Sequence, residues 1–393
     1  MTDPVIVAGA RTAVGTANKG TLANTTPEEL GLALLTETVE RSGLDPERFD
    51  DVLFAESLYG GGDVARHAAV EAGMLTVPGA ALNRHCAGSL STIGLAAAQI
   101  KSGMEDAIVA GGVQSTSLGP ALKRRVPGLR GIYEDPWVPP THPNRADAPN
   151  MDMSISVGWN TAKYADLSRE EMDAWALRSH QRAIDAIDKG LFEEEIFPVS
   201  VKNWSGETVE FSVDEHPRRD TTRERLASLR VLHPEIEGFS ITAGNASGMN
   251  DAAAAVAVTS SDLAKSEGLT SLATIRAWTS VGIDPALMGV GALHAITRVL
   301  GKAGLEVSDV AVWEINEAFA SVPVAACKLL NIDEEIVNIH GSGCSIGHPV
   351  AASGARMVNT LIRDLQRRGG GIGVAAMCAG GGQAGALVIE VQP

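Results

Sequence analysis

Two hydrophobic periods alternate along most of the chain. Apolar runs around Val5-Ile6-Val7-Ala8, Val52-Leu53-Phe54-Ala55 and Ala107-Ile108-Val109-Ala110 predict strands buried on both faces. Between them the spacing lengthens to that of amphipathic helices. Over residues 27–42, Leu30, Ala33, Leu34 and Val39 follow Thr26-Pro27-Glu28-Glu29. That tetrad supplies an N-cap hydroxyl, a first-turn proline and early carboxylates, and so predicts a helix start. Ser168-Arg169-Glu170-Glu171 has capping-box spacing and predicts a second helix reaching about residue 189. Strands alternating with helices predict an α/β fold.

The same order recurs later in the chain. Asn83-Arg84-His85-Cys86-Ala87-Gly88-Ser89 is answered by Asn338-Ile339-His340-Gly341-Ser342-Gly343-Cys344, with Asn, His and Gly matched, and both are expected to lead into alanine-rich helices. Val52-Leu53-Phe54-Ala55-Glu56 pairs with Val310-Ala311-Val312-Trp313-Glu314, and Ile108-Val109-Ala110-Gly111-Gly112 with the strand-like run that closes on Gly380-Gly381-Gly382. Matches in one order predict two similarly folded halves. Residues 119–250 lie between them and carry Pro120, Pro127, Pro136, Pro139, Pro140, Pro143 and Pro149 in their first third, which predicts a loop-rich insertion. The expected units are residues 1–118 completed by 251–270, an insertion over 119–250, and a second half over 271–393.

Composition narrows the function. With 393 residues, 45% of them hydrophobic, the chain has material for a large core. Its formal charge of −16 disfavours nucleic acid or an anionic membrane as partner, because the average field repels both. The opening MTDPVIVAGARTAVG lacks a signal-peptide pattern and no apolar stretch reads as a membrane span, so a cytoplasmic location is the expectation. Cys86, Cys327, Cys344 and Cys378 are too dispersed for a disulfide framework or a CxxC metal site. Each is core filler or chemistry.

Some positions favour chemistry. Cys86 precedes an apparent helix whose N-terminus stabilises thiolate over thiol; the bland alternative is a small residue at a tight turn. Cys378 runs into Ala379-Gly380-Gly381-Gly382, where backbone N–H groups can meet a ligand oxygen. His348 is held between Gly347 and Pro349, and Asn316 follows a strand end, where α/β sheets collect catalytic groups. Taken singly, His348 and Asn316 are more often structural, and Cys86 is as often structural as chemical.

Together, Asn83-Arg84-His85-Cys86-Ala87-Gly88-Ser89, Asn316-Glu317-Ala318-Phe319-Ala320, Gly347-His348-Pro349 with Ala352-Ser353-Gly354-Ala355-Arg356, and Cys378-Ala379-Gly380-Gly381-Gly382 resemble the thiolases. The resemblance spans essentially the whole chain, including Thr242-Ala243-Gly244-Asn245-Ala246-Ser247-Gly248. It implies a duplicated βαβαβαββ core in five layers, αβαβα, with an inserted loop domain for coenzyme A. It implies Cys86 as the acyl-accepting nucleophile, His348 as its base, Cys378 as the acid/base at the acetyl carbon, and Asn316, through a held water, as an oxyanion donor with His348. Backbone N–H groups of Cys86 and Gly380 would serve the acyl-enzyme oxygen. Arg218 is the matching residue for the nucleotide end of coenzyme A, and Ala243, Ser247, Met288, Ala318 and Phe319 for its pantetheine channel; a solvated charged loop is the bland reading of Arg218, Arg219, Arg223 and Arg225.

The implied activity is coenzyme A-dependent cleavage of 3-ketoacyl-coenzyme A, or the reverse condensation, in a homodimer or homotetramer. Coenzyme A is then a substrate, and neither metal nor redox cofactor is implied. Met153-Ser154-Ile155-Ser156-Val157-Gly158-Trp159-Asn160-Thr161-Ala162 departs from the family pattern, so no contact is carried over there and the chain-length preference stays open. A biosynthetic acetoacetyl-coenzyme A enzyme and a noncatalytic thiolase-like lipid-binding protein are the alternatives. A decarboxylating ketosynthase would resemble a Cys-His-His set, against Asn316 and Cys378.

Overall fold

The computed structural model describes residues 2–57 and 62–393. Its first half runs β1 (Pro4–Arg11), α1 (Pro27–Ser42), β2 (Asp51–Glu56), α2 (Val64–Glu71), β3 (Gly79–Leu82), α3 (Gly88–Ser102), β4 (Ala107–Gln114) and, after the insertion, β5 (Asn250–Ser260). The second half runs β6 (Ala273–Gly282), then an α-helix at Gly291–Ala303, β7 (Val310–Ile315), an α-helix at Ser321–Leu330, an α-helix at Ser353–Arg367, β8 (Gly371–Ala379) and β9 (Gln383–Val391). Both helix starts forecast from capping residues are present. Thr26 and Glu29 exchange side-chain and backbone bonds at the head of α1, and Ser168 and Glu171 do so at the head of Arg169–Asp188 in the insertion.

Hydrogen bonding reveals the duplication. One half pairs in the order β3-β2-β4-β5-β1, the other in the order β7-β8-β9-β6, and a short antiparallel contact of β1 with β6 joins them. The strand that would match β3 shrinks in the second half to one parallel bridge, Trp313 with Val337. Two of the three repeated segments thus fall on corresponding strands, and the third follows the β3 position in each half.

Three apolar clusters account for five layers. Leu30, Leu34, Ala65 and Ala68 of α1 and α2 cover one face of the first sheet over Val52, Phe54 and Val109. Side chains alternate across a strand, so Ile108 and Ala110 face the other way. They meet Leu90 and Ile93 of α3 and Val358 and Leu361 of the 353–367 helix, which pack in turn on Ala375, Met377 and Leu387 of the second sheet. The far face of that sheet, with Val374, Ala376 and Val388, is covered by Leu293, Ile296, Val322 and Ala325. The two central helices cross tightly at Gly354, where an added Cβ would lie 2.7 Å from the Leu90 backbone nitrogen.

The two copies differ after the third strand position. In the first half Cys86 leads straight into α3 at Gly88, whereas in the second the helix begins only at Ser353, beyond a long irregular segment after Asn338. That extra segment carries His348. His340, which matches His85 in the repeat, is instead tied to the buried Asp364 carboxylate at 2.9 Å.

The insertion is irregular in its proline-rich part, where only Arg124–Arg125 and Tyr133–Glu134 pair as strands. Farther on it holds the long helix Arg169–Asp188 and a hairpin of Val199–Lys202 with Thr208–Phe211. A buried ion triad fixes it to the core: Arg11 of β1 bonds Glu195 at 2.7 Å and grips both oxygens of Asp214 at 2.8 and 2.9 Å. Removing one partner from such a group strands the other charges in low dielectric, which makes the triad a strict anchor. Among the described residues no helix is long and apolar enough to cross a membrane.

Candidate active site

Cys86 is placed by a strained turn. The Asn83 side chain accepts the His85 N–H at 2.9 Å, and His85 adopts a left-handed φ of 45°, a conformation rare outside glycine and asparagine. The chain then passes through a 3₁₀ turn over His85–Ala87 and enters α3, leaving Cys86 half-buried just ahead of the helix N-terminus. Burial pushes the thiol up to about 11, opposed by a backbone N–H from Gly380 that points at the sulfur. Neighbouring helix N–H dipoles also favour the thiolate.

Gly380 belongs to the other half. Cys378 lies near the end of β8, and the chain then reverses through Gly381 and Gly382, both with left-handed φ, into β9. This turn lies against the first half: a Cβ on Gly380 would sit 3.0 Å from the His85 ring. Cys378 is buried, and burial together with the Cys86 sulfur raises its thiol far above the usual range. The two thiols from opposite halves therefore lie close enough for each to feel the other's charge.

Asn316 follows the end of β7, and its N–H donates to the Ala376 carbonyl at 3.0 Å, one strand over and two residues before Cys378. Its amide nitrogen lies 3.4 and 3.5 Å from the two ring nitrogens of His348. Its Oδ1 is buried without a partner among the described residues. Glu317 anchors this segment: its carboxylate accepts Trp175 Nε1 at 2.8 Å, Ser179 Oγ at 2.6 Å, Asn338 Nδ2 at 2.9 Å and the Cys344 N–H at 3.0 Å.

His348 Nδ1 is 2.6 Å from Ser353 Oγ, and Ser353 Oγ is 2.9 Å from the Pro349 carbonyl. If the serine proton goes to Pro349, Nδ1–H donates to Oγ and Nε2 keeps its lone pair. Burial, then the field of Arg356, lower the imidazole to about 3, so it is neutral at physiological pH.

Two more histidines, His180 and His216, are lowered by burial to about 4. All three lie below the ordinary 6.5, so the unfolded chain binds more protons across that window. Stability contributed by the neutral rings is therefore present above about pH 6.5 and lost as pH falls towards the folded values. The melting temperature should drop between about pH 7 and about pH 5, and His348→Asn should flatten the slope. A pH slope unchanged in His348→Asn would contradict the burial argument, since the variant removes one ring and leaves opposing groups such as the buried Glu314, raised to about 8, in place.

The residues expected along the pantetheine arm lie on adjoining segments. Ala246 bridges Phe319, and the Ser247 N–H donates to the Ala318 carbonyl at 3.0 Å, so the 243–249 segment runs beside 317–320. Ala243 is exposed and Ser247 half-buried, while Ala318 and Phe319 are buried. Phe319 packs on Gly158 of the divergent segment, which forms a π-helical turn over Ser154–Trp159. Met288, fully buried, lies in the Pro285–Val290 turn, whose Gly289 packs against Thr161.

Arg218 is exposed, and its N–H donates to His180 Nδ1 at 3.1 Å. His216, two residues earlier, fills the space beside Gly248, which links Arg218 to the Ser247 segment. Arg219 and Arg225 are tied up by Asp188 and Asp220, whereas Arg218 has no carboxylate within ion-pair distance among the described residues. Cys327 and Cys344 are buried in the outer apolar cluster of the second half.

Ser353, Glu317, Asn250 and Gln114 contact this site or its supports and were not singled out from the sequence. Ser353 and Glu317 stood inside quoted motifs; Asn250 and Gln114 gave no local signal.

The Thiolase, N-terminal domain family model matches residues 4–262, and the Thiolase, C-terminal domain model matches residues 269–391. The chain is 40% identical to an acetyl-CoA acetyltransferase of Pseudomonas aeruginosa over 99% of both proteins. It is 37% identical to a 3-ketoacyl-CoA thiolase of Bacillus subtilis over 100% of both. Its fold matches the crystal structure of the Bacillus anthracis acetyl-CoA acetyltransferase with a TM-score of 0.91 and 38% identity, covering 100% of this chain and 99% of that one. With two domain matches in register along nearly its full length, on a duplicated core that brings together two cysteines, this chain belongs to the thiolase family.

Proposed function

We propose that the enzyme cleaves 3-ketoacyl-coenzyme A thioesters with coenzyme A, through an acyl group carried on Cys86. The observation that carries this reading is the meeting of Cys86 with Cys378 and the Gly380 N–H from the opposite half.

His348 takes the proton of Cys86, and the thiolate attacks the 3-keto carbon. The bond between C2 and C3 then breaks, leaving an acyl-Cys86 thioester and the enolate of acetyl-coenzyme A. Asn316 and His348 support the enolate oxygen, with a water on Asn316 accounting for the orphaned amide oxygen. Cys378, protonated at rest, delivers its proton to the enolate carbon. Coenzyme A then gives its thiol proton back to Cys378 and attacks the acyl group, whose oxygen faces the N–H groups of Cys86 and Gly380; the bond from the acyl carbon to Cys86 breaks, and the departing Cys86 thiolate recovers its proton from His348. An α-carbon of a thioester is a weak acid, so positioned donors must act together with the base.

Arg218 would meet the nucleotide end of coenzyme A, and Ala243, Ser247, Met288, Ala318 and Phe319 its pantetheine arm. The divergent turn at Ser154–Trp159 behind Phe319 supports longer 3-ketoacyl substrates over acetoacetyl-coenzyme A alone. Purified enzyme is expected to consume 3-ketoacyl-coenzyme A thioesters of several chain lengths only when coenzyme A is added, read as loss of their absorbance. Turnover confined to acetoacetyl-coenzyme A would favour the biosynthetic reading, and no turnover on any would overturn the catalytic one.

A further inference from the structure

His348 sits on an irregular segment between Asn338 and Ser353, far in sequence from any strand of its own half that could hold it. Its partner in chemistry, Cys86, belongs to the other half. A base displaced by about 1 Å loses up to ~100-fold in rate, so something must fix this segment to the half that carries the nucleophile.

Two buried amides of the first half do so. Asn250, the first residue of β5, accepts the His348 N–H on Oδ1 at 2.9 Å and donates through Nδ2 to the Gly15 carbonyl at 3.0 Å. Its neighbour Met249 forms a parallel bridge with His348. Gly347 has φ 109°, and a Cβ there would lie 2.5 Å from Asn250 Oδ1, so the chain is shaped to let the amide in. On the other side of His348, the Ala351 N–H donates to Gln114 Oε1 at 3.2 Å. Gln114 ends β4, and its Nε2 reaches Thr116 Oγ1 at 3.3 Å, which donates to the Asn250 carbonyl at 3.0 Å. Both amides have zero exposure.

We infer that Asn250 and Gln114 are positioning residues for the reaction: a two-point clamp by which the Cys86 half sets the placement of His348. The inference rests on the assignment of His348 as the base for Cys86. An amide suits the Asn250 position because it accepts and donates at once. A carboxylate would lose the bond to Gly15 and add a charge beside the imidazole, and an apolar residue would bury the His348 N–H without a partner. Gln114 and Asn250 are joined through Thr116, so their effects should not add.

The test uses the full-length enzyme with Asn250→Ala, Gln114→Ala and the double variant. Burst-phase acylation of Cys86 from a 3-ketoacyl-coenzyme A is measured beside steady-state kinetics and melting temperature. Asn250→Ala is expected to slow acylation by about 10- to 100-fold and Gln114→Ala by about 3- to 10-fold. KM for coenzyme A should stay within about twofold of the parent, since neither amide is among the residues expected along the pantetheine arm. The double variant should be no slower than about twice the Asn250→Ala loss. Acylation at the parental rate in either folded variant would overturn the clamp, as would a loss that appears equally in KM. Should Asn250→Ala fail to fold, Gln114→Ala decides by the same criteria. The parent enzyme is the reference: if it does not turn over, the functional reading fails, whereas an active parent with unaffected variants removes only the clamp.

Discussion

Alanine in place of Cys86 is expected to abolish the acyl-enzyme and to lower turnover on the order of 10⁴-fold or more. The sulfur is placed to carry the acyl group, because the Gly380 N–H that would stabilise charge there points at it from the opposite half. The side chain is half-buried and its replacement is small, so the fold should survive with little change in melting temperature. Mass spectrometry after mixing with substrate measures the adduct directly. An acyl adduct on the Cys86→Ala enzyme, or turnover above about one hundredth of the parent, would sink the nucleophile assignment.

Alanine in place of Cys378 should separate the two chemistries. Burial and the Cys86 sulfur hold the Cys378 thiol in its protonated form, the state needed to protonate an enolate carbon. Without it, acetyl transfer from acetyl-coenzyme A to Cys86 needs no carbon acid, and the departing coenzyme A thiolate is a stable enough anion to leave and take its proton from water, so this step should proceed. Cleavage of 3-ketoacyl substrates should fall by about 10²- to 10⁴-fold, the usual span for losing a positioned acid. Equal loss of both reactions would mean that Cys378 serves Cys86 rather than the α-carbon, and full cleavage activity would remove it from the mechanism.

Parts of this molecule were readable in one dimension because their causes are local. The helix start at Thr26 needs only Glu29, and the one at Ser168 needs only Glu171, so both followed from four residues each. Strand placement followed from buried apolar runs, and the duplication from their recurrence. Where the expectation about the repeat fell short was the segment before Ser353: it was to run directly into a helix as its counterpart does, yet a long loop intervenes. Sequence similarity of the flanks does not report an added loop whose length is set by what it must reach.

The sequence by itself determined the α/β order, the two matched halves and the residue types able to form, hold and cleave a thioester. Only the tertiary structure decided how those residues act. The Gly380 N–H reaches Cys86 across 294 positions (380 − 86), and His348 takes its place from Asn250 and Gln114. The neutral imidazole and the raised thiols likewise come from burial by elements distant along the chain. Such effects depend on distance through space and on dielectric surroundings, and neither quantity exists until the two halves have packed together.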